Sequence, residues 1–138
     1  MKILAVDHGQ KRIGLAISDE TGALARPLLV LPHVSRVVDA ATVAERAAAH
    51  DVAQIVVGAS YDEDGQLNTA GRSAARFAEA LRLQTSLPVL LWDESLTTQD
   101  ARAARLTMGV SRKKRSGHLD DVAAAVLLQN YLDSQKNV

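Results

Sequence analysis

Cysteine is absent from this chain of 138 residues, so neither a disulfide framework nor a thiolate metal site is open to it. Aromatic residues are nearly absent as well: one Trp, one Phe and two Tyr. The core must therefore come from Ala, Val, Leu and Ile. A surface that stacks many unpaired bases on aromatic rings is not expected. Neither sign of charge prevails, with 16 basic and 16 acidic side chains, so a polyanionic partner would have to be held by a local patch. No apolar run approaches the roughly 20 residues of a membrane-spanning helix. No charged leader with an apolar core precedes the first apolar run. A cytoplasmic protein without a membrane partner is expected. Repeats, linkers and low-complexity stretches are also missing, and 1–138 reads as a single domain.

What is there is a change of period. Apolar runs at 2–6, 12–18 and 24–31 read as strands, with Asp19-Glu20-Thr21-Gly22 as a hairpin loop between the second and third. From Ser35 to about His50 the apolar residues recur at helical spacing, with Ser35 as cap. The nearly continuous run from Ala53 to Gly58 reads as a strand covered on both faces. A polar loop at 59–68, a helix at 69–84, a strand at 88–92, a helix at 97–107, a basic loop at 109–117 and an Ala/Leu-rich helix at 120–132 complete the order β-β-β-α-β-α-β-α-α. Three meandering strands followed by right-handed βαβ units predict an α/β fold: a five-stranded mixed sheet with helices on both faces.

Candidate chemistry sits at the ends of these elements. Asp7 follows the first strand and Gly9 comes two residues later. Such a pair makes an ordinary hairpin turn, and it also sets a metal- or phosphate-binding group on a sheet rim. Asp93-Glu94 ends the fifth strand, and Asp120-Asp121 opens the last helix. If strands one, four and five are parallel, their carboxyl ends share one rim, where open α/β sheets bind ligands. Acids from positions 7, 94 and 120 would then converge.

Clustered carboxylates raise one another's pKa unless a cation relieves them. Oxygen donors without cysteine suit Mg²⁺ or Mn²⁺ rather than Zn²⁺. Two such ions, about 4 Å apart, activate a water and stabilise the leaving oxygen of a phosphodiester. Either acid of the 120–121 pair also stabilises a helix start, and helical projection does not choose between them. Asp120 shares a face with Ala124 and Leu127, Asp121 shares one with Ala125 and Leu128, and both lie away from Gln129, Asn130 and Asp133.

Arg112-Lys113-Lys114-Arg115 is the densest positive run, with Arg102 and Arg105 on the helix before it. Beside an acidic metal site these cations, with Lys11 and Arg12, would hold a phosphate backbone without reading its sequence. A solvated loop is the plain alternative for the run. His8 and His118 adjoin candidate acids and read mainly as incidental polar residues. Gly58 and Gly65 read as backbone requirements.

Three segments resemble a known family. Asp7-His-Gly-Gln-Lys-Arg-Ile-Gly-Leu-Ala-Ile-Ser-Asp19 is similar to the opening motif of the YqgF family, also called RuvX. Asp93-Glu94-Ser95-Leu96-Thr97-Thr98 resembles its Asp-Glu-Arg-Leu-Thr-Thr segment, and Asp120 to Gln129 resembles its final helix. The resemblance runs from residue 2 to about 133. It implies an RNase H-like fold shared with the Holliday-junction resolvase RuvC. It also implies a cytoplasmic nuclease proposed to mature the 5′ end of pre-16S rRNA, or a junction resolvase.

The family's three acids fall on Asp7, Glu94 and Asp120. Counting back from Gln129 selects Asp120 over Asp121. Ser60 stands where the family has Pro, and Ser95 replaces an Arg beside the acid. The resulting expectation is a nuclease dependent on Mg²⁺ or Mn²⁺, with two ions, acting on a ribosomal precursor. Asp7, Glu94 and Asp120 would be both metal ligands and catalytic groups. The rivals are resolution of branched DNA, an ATPase of the actin and sugar-kinase kind, and an rRNA-binding assembly factor without turnover. Monomer and homodimer are not distinguished.

Overall fold

The computed structural model describes residues 1–94 and 120–136. Its strands are β1 (Ile3–His8), β2 (Arg12–Ser18), β3 (Ala25–Pro32), β4 (Gln54–Ala59) and β5 (Val89–Asp93). Its helices are α1 (Arg36–Ala49), α2 (Thr69–Arg82) and α3 (Asp120–Gln135). The strands form one sheet in the order β3-β2-β1-β4-β5. β1 pairs antiparallel with β2, and β2 with β3, while β1–β4 and β4–β5 are parallel. This is the mixed five-stranded sheet that the sequence pattern predicts. The helix at 97–107 and the basic loop at 109–117 lie outside the described residues. Among the described residues no helix is long and apolar enough to cross a membrane.

Local chemistry accounts for the element ends. The Ser35 side chain accepts from the amide of Val38 and caps α1; Asn68 accepts from the amide of Gly71 at 2.8 Å and caps α2. Asp19 Oδ1 accepts from the amides of Ala23 and Leu24, closing the β2–β3 loop, where Gly22 takes the left-handed conformation at φ 72°.

Strand alternation divides the apolar residues between two cores. Leu4, Val6, Leu15, Ile55 and Val57 meet Phe77 and Leu81 under α1 and α2. Ala5, Ala16 and Val56 meet Ala125, Leu128 and Tyr131 of α3 on the other face. The α3 face is built from small residues, so this helix lies close on the sheet. The helix is buried almost all round, which is why it shows no amphipathic stripe.

One expectation needs correction. β1 does not stop at residue 6. The ladder continues through Asp7↔Gly14 and His8↔Ile13, so Asp7 lies inside a paired strand rather than beyond it. In α3 the polar residues Gln129 and Asn130 are both buried. Gln129 Oε1 accepts from the amide of Ala25 at 2.9 Å, and Nε2 donates to the carbonyl of Ala23 at 3.0 Å. Its amide therefore ties α3 to the start of β3. A buried amide with both ends satisfied is tolerated where a bare one would be costly.

Candidate acidic site at the sheet rim

The parallel pairings bring the carboxyl ends of β1, β4 and β5 to one rim. Asp7 follows Ile3 and Ala5 on the α3 side of β1 and is half-buried. Its neighbours across the ladder are glycines: Gly14 pairs with it on β2, and on β4 Gly58 follows Val57, the partner of Val6. The glycines clear space rather than relieve backbone strain. A Cβ on Gly14 would lie 1.9 Å from the carbonyl oxygen of Asp120, so the start of α3 rests directly on β2. A Cβ on Gly58 would lie 3.1 Å from Glu94 Oε2 and 2.8 Å from Leu127 Cδ2. Glu94 continues the parallel pairing, its amide donating to the carbonyl of Ala59 at 3.0 Å, and its side chain leans back over Gly58.

Asp7, Glu94 and Asp120 thus reach one region from three elements. Burial, then the charges of Glu94 and Asp120, push the pKa of Asp7 up to about 6. Loss of hydration as it leans inward, then the charge of Asp93, also raises the pKa of Glu94, although the residue as a whole is solvent-accessible. Asp120, rather than Asp121, is the helix acid whose charge reaches Asp7. Its Oδ2 accepts from Arg12 Nε at 3.0 Å, so Arg12 is engaged with an acid. As they stand, no three carboxylates or imidazoles among the described residues are grouped closely enough to hold one ion.

The raised Asp7 pKa has a measurable consequence. The group ionises near 3.8 when unfolded and near 6 when folded, so the folded state holds the proton across that window. Stability of the metal-free protein should therefore fall as pH rises from about 4 to about 6, then level off, by up to about 3 kcal/mol. Denaturant titrations of the parent and Asp7→Asn across this range check the sign. A parent gaining stability relative to Asp7→Asn over the same interval contradicts it.

The remaining sequence candidates separate. Lys11 is exposed in the β1–β2 turn. Arg112, Lys113, Lys114, Arg115, Ser95 and His118 lie outside the described residues. His8 points to the face opposite Asp7 and stacks on Phe77, with centroids 4.7 Å apart. Burial chiefly lowers its pKa, against the charge of Asp39. The sequence reading missed the clearance made by Gly14 and Gly58. The available signal was a glycine inside each of two apolar strands, a common mark of close approach.

Residues 1–134 match the family described as RuvX: Holliday junction resolvase. A Thermoanaerobacter pseudethanolicus protein named "Putative pre-16S rRNA nuclease" is 39% identical over 99% of this chain and 99% of its own. One of the same name from Geobacillus kaustophilus is 41% identical over 99% of this chain and 100% of its own. Among solved structures, Thermus thermophilus RuvC in complex with a Holliday junction substrate superposes with a TM-score of 0.60 at 17% identity, covering 97% of this chain and 96% of that one. At that identity the likeness establishes the RNase H-like fold.

Proposed function

The chain belongs to the RuvX family, and from that premise we propose that it is a nuclease hydrolysing phosphodiester bonds in structured nucleic acid at the Asp7 rim, with precursor 16S rRNA as substrate. The observation that carries this reading is the electrostatic conflict at the rim. A half-buried carboxylate is held beside two others, with its pKa raised to about 6 and, among the described residues, the nearby cation Arg12 engaged with Asp120. Such a group is unfavourable by itself and favourable around a hard divalent cation.

The donor set fits Mg²⁺ or Mn²⁺, because it offers carboxylate oxygens alone. Asp7, Glu94 and Asp120 would hold it, with Asp120 exchanging Arg12 for the ion. When bound, the metal supplies charge neutralisation at the scissile phosphate and a more acidic water. The chain's own residues fix the geometry. The β1 ladder orients Asp7, Gly58 admits Glu94, and the seat of α3 on Gly14 sets Asp120. Arg12, once released from Asp120, is placed to take a phosphate oxygen. Lys11 and the 112–115 run would extend that contact along the backbone. The relatives named for pre-16S rRNA support the choice of RNA, and this reading places the protein in the cytoplasm with ribosomal precursors.

The test is incubation of the purified chain with a precursor 16S rRNA fragment and with a four-way DNA junction, each with Mg²⁺, Mn²⁺ or chelator. Cleavage of the RNA that chelator abolishes is expected. Faster cutting of the junction would favour the resolvase reading. Absence of cutting of either substrate with either metal would overturn the nuclease and leave an assembly factor as the better account.

A further inference from the structure

A pocket of about 390 Å³ opens on the other face of the same rim, between the end of β1, the β1–β2 turn and α2. Its chemistry comes from His8, Gln10, Thr69, Ser73 and Arg76. Thr69, Ser73 and Arg76 recur at helical spacing and so share one side of α2. His8 lines the opposite wall, its ring backed by Phe77. Among the described residues the lining contains a guanidinium and no acid, and the nearby charge of Asp39 is felt at His8. Among the described residues the side chains of Arg76 and Gln10 make no hydrogen bond or ion pair. The space lies within the ~300–1,000 Å³ typical of small-ligand sites.

We propose that this pocket receives one unpaired nucleotide of the substrate strand, with its phosphate on Arg76 and its base in the space beside His8. The proposal deepens the nuclease reading and rests on it for the identity of the strand. Asp7 and His8 are consecutive in a β-strand, so their side chains leave the rim on opposite faces. A strand crossing the rim at the acids therefore has this pocket directly behind it. Guanidinium matches phosphate in planarity and charge. A mixed polar and apolar wall suits a base that has left its stack, whereas a base held in a duplex cannot enter.

The test uses Asp7→Asn protein, so that binding is read without cutting. Fluorescence anisotropy is measured with a 12-nucleotide single-stranded RNA and a 12-base-pair RNA duplex. Arg76→Gln removes the charge, and Ser73→Phe fills the space without altering charge. Each substitution is expected to weaken the single strand about tenfold while changing duplex binding less than about twofold. Unchanged single-strand affinity in both variants would overturn the pocket. So would equal weakening of both RNAs by Arg76→Gln with no effect of Ser73→Phe, which makes Arg76 a general backbone contact. If the parent cuts nothing while both variants lose the single strand, the nuclease reading fails and the pocket stands. If the parent cuts and both variants bind like the Asp7→Asn protein, the pocket alone fails.

Discussion

Asp7→Asn is expected to lower Mg²⁺-dependent cleavage of precursor rRNA by on the order of 10³-fold, or about 4 kcal/mol of transition-state stabilisation. The replacement keeps the shape of the side chain and the paired register with Gly14, and it removes only the charge. Its effect on stability should run the other way. The parent carboxylate is half-buried next to Glu94 and Asp120, which raises its pKa to about 6. Above that pH the metal-free parent carries an unfavourable charge that the variant lacks, so the variant should resist denaturant better. Lost activity in a better-folded protein separates a chemical role from a structural one. Parent-level cleavage by the variant would remove Asp7 from the chemistry.

The second large effect is expected from Gly14→Ala. The added methyl carbon would lie 1.9 Å from the carbonyl oxygen of Asp120, a backbone atom that cannot swing aside. The start of α3 must lift, and overpacking of this kind costs about 3 kcal/mol, lowering Tm by on the order of 10 °C. Because Asp120 travels with that turn, cleavage should fall even at temperatures where the variant stays folded. Gly58→Ala is a useful contrast. Its methyl would meet side-chain ends, Leu127 Cδ2 and Glu94 Oε2, which can shift. Its thermal penalty should be the smaller of the two. A Gly14→Ala protein that melts with the parent would show that α3 is not seated on β2 as described.

Much of this arrangement is legible in the linear sequence where one local signal dominates. β4 reads correctly because Ile55, Val56 and Val57 are apolar in succession and buried on both faces. α1 reads correctly because Ser35 caps it, and α2 because Ala74, Phe77, Ala78 and Leu81 fall on one buried stripe. The convergence of β1, β4 and β5 at one rim follows from the obligatory parallel crossovers. What escapes is set by neighbours distant in sequence. The role of Gly14 depends on a carbonyl more than 100 residues away, and no local propensity encodes it. α3 lacks a stripe because it is buried almost all round, so a helical projection could not separate Asp120 from Asp121 or expect Gln129 to be buried. His8 looks like a companion of Asp7 in sequence, yet strand alternation sends it to the other core.

The central claim is that Asp7 of β1, Glu94 just after β5 and Asp120 of α3 share one electrostatic site that a divalent cation relieves. It is tested most directly by carbon NMR titration of the Asp7 carboxyl, first in chelator and then with Mg²⁺. The expected midpoint is about 6 without metal, moving well below the ordinary 3.8 once Mg²⁺ is present. A midpoint already at 3.8 in chelator, or one near 6 that Mg²⁺ leaves in place, would contradict it.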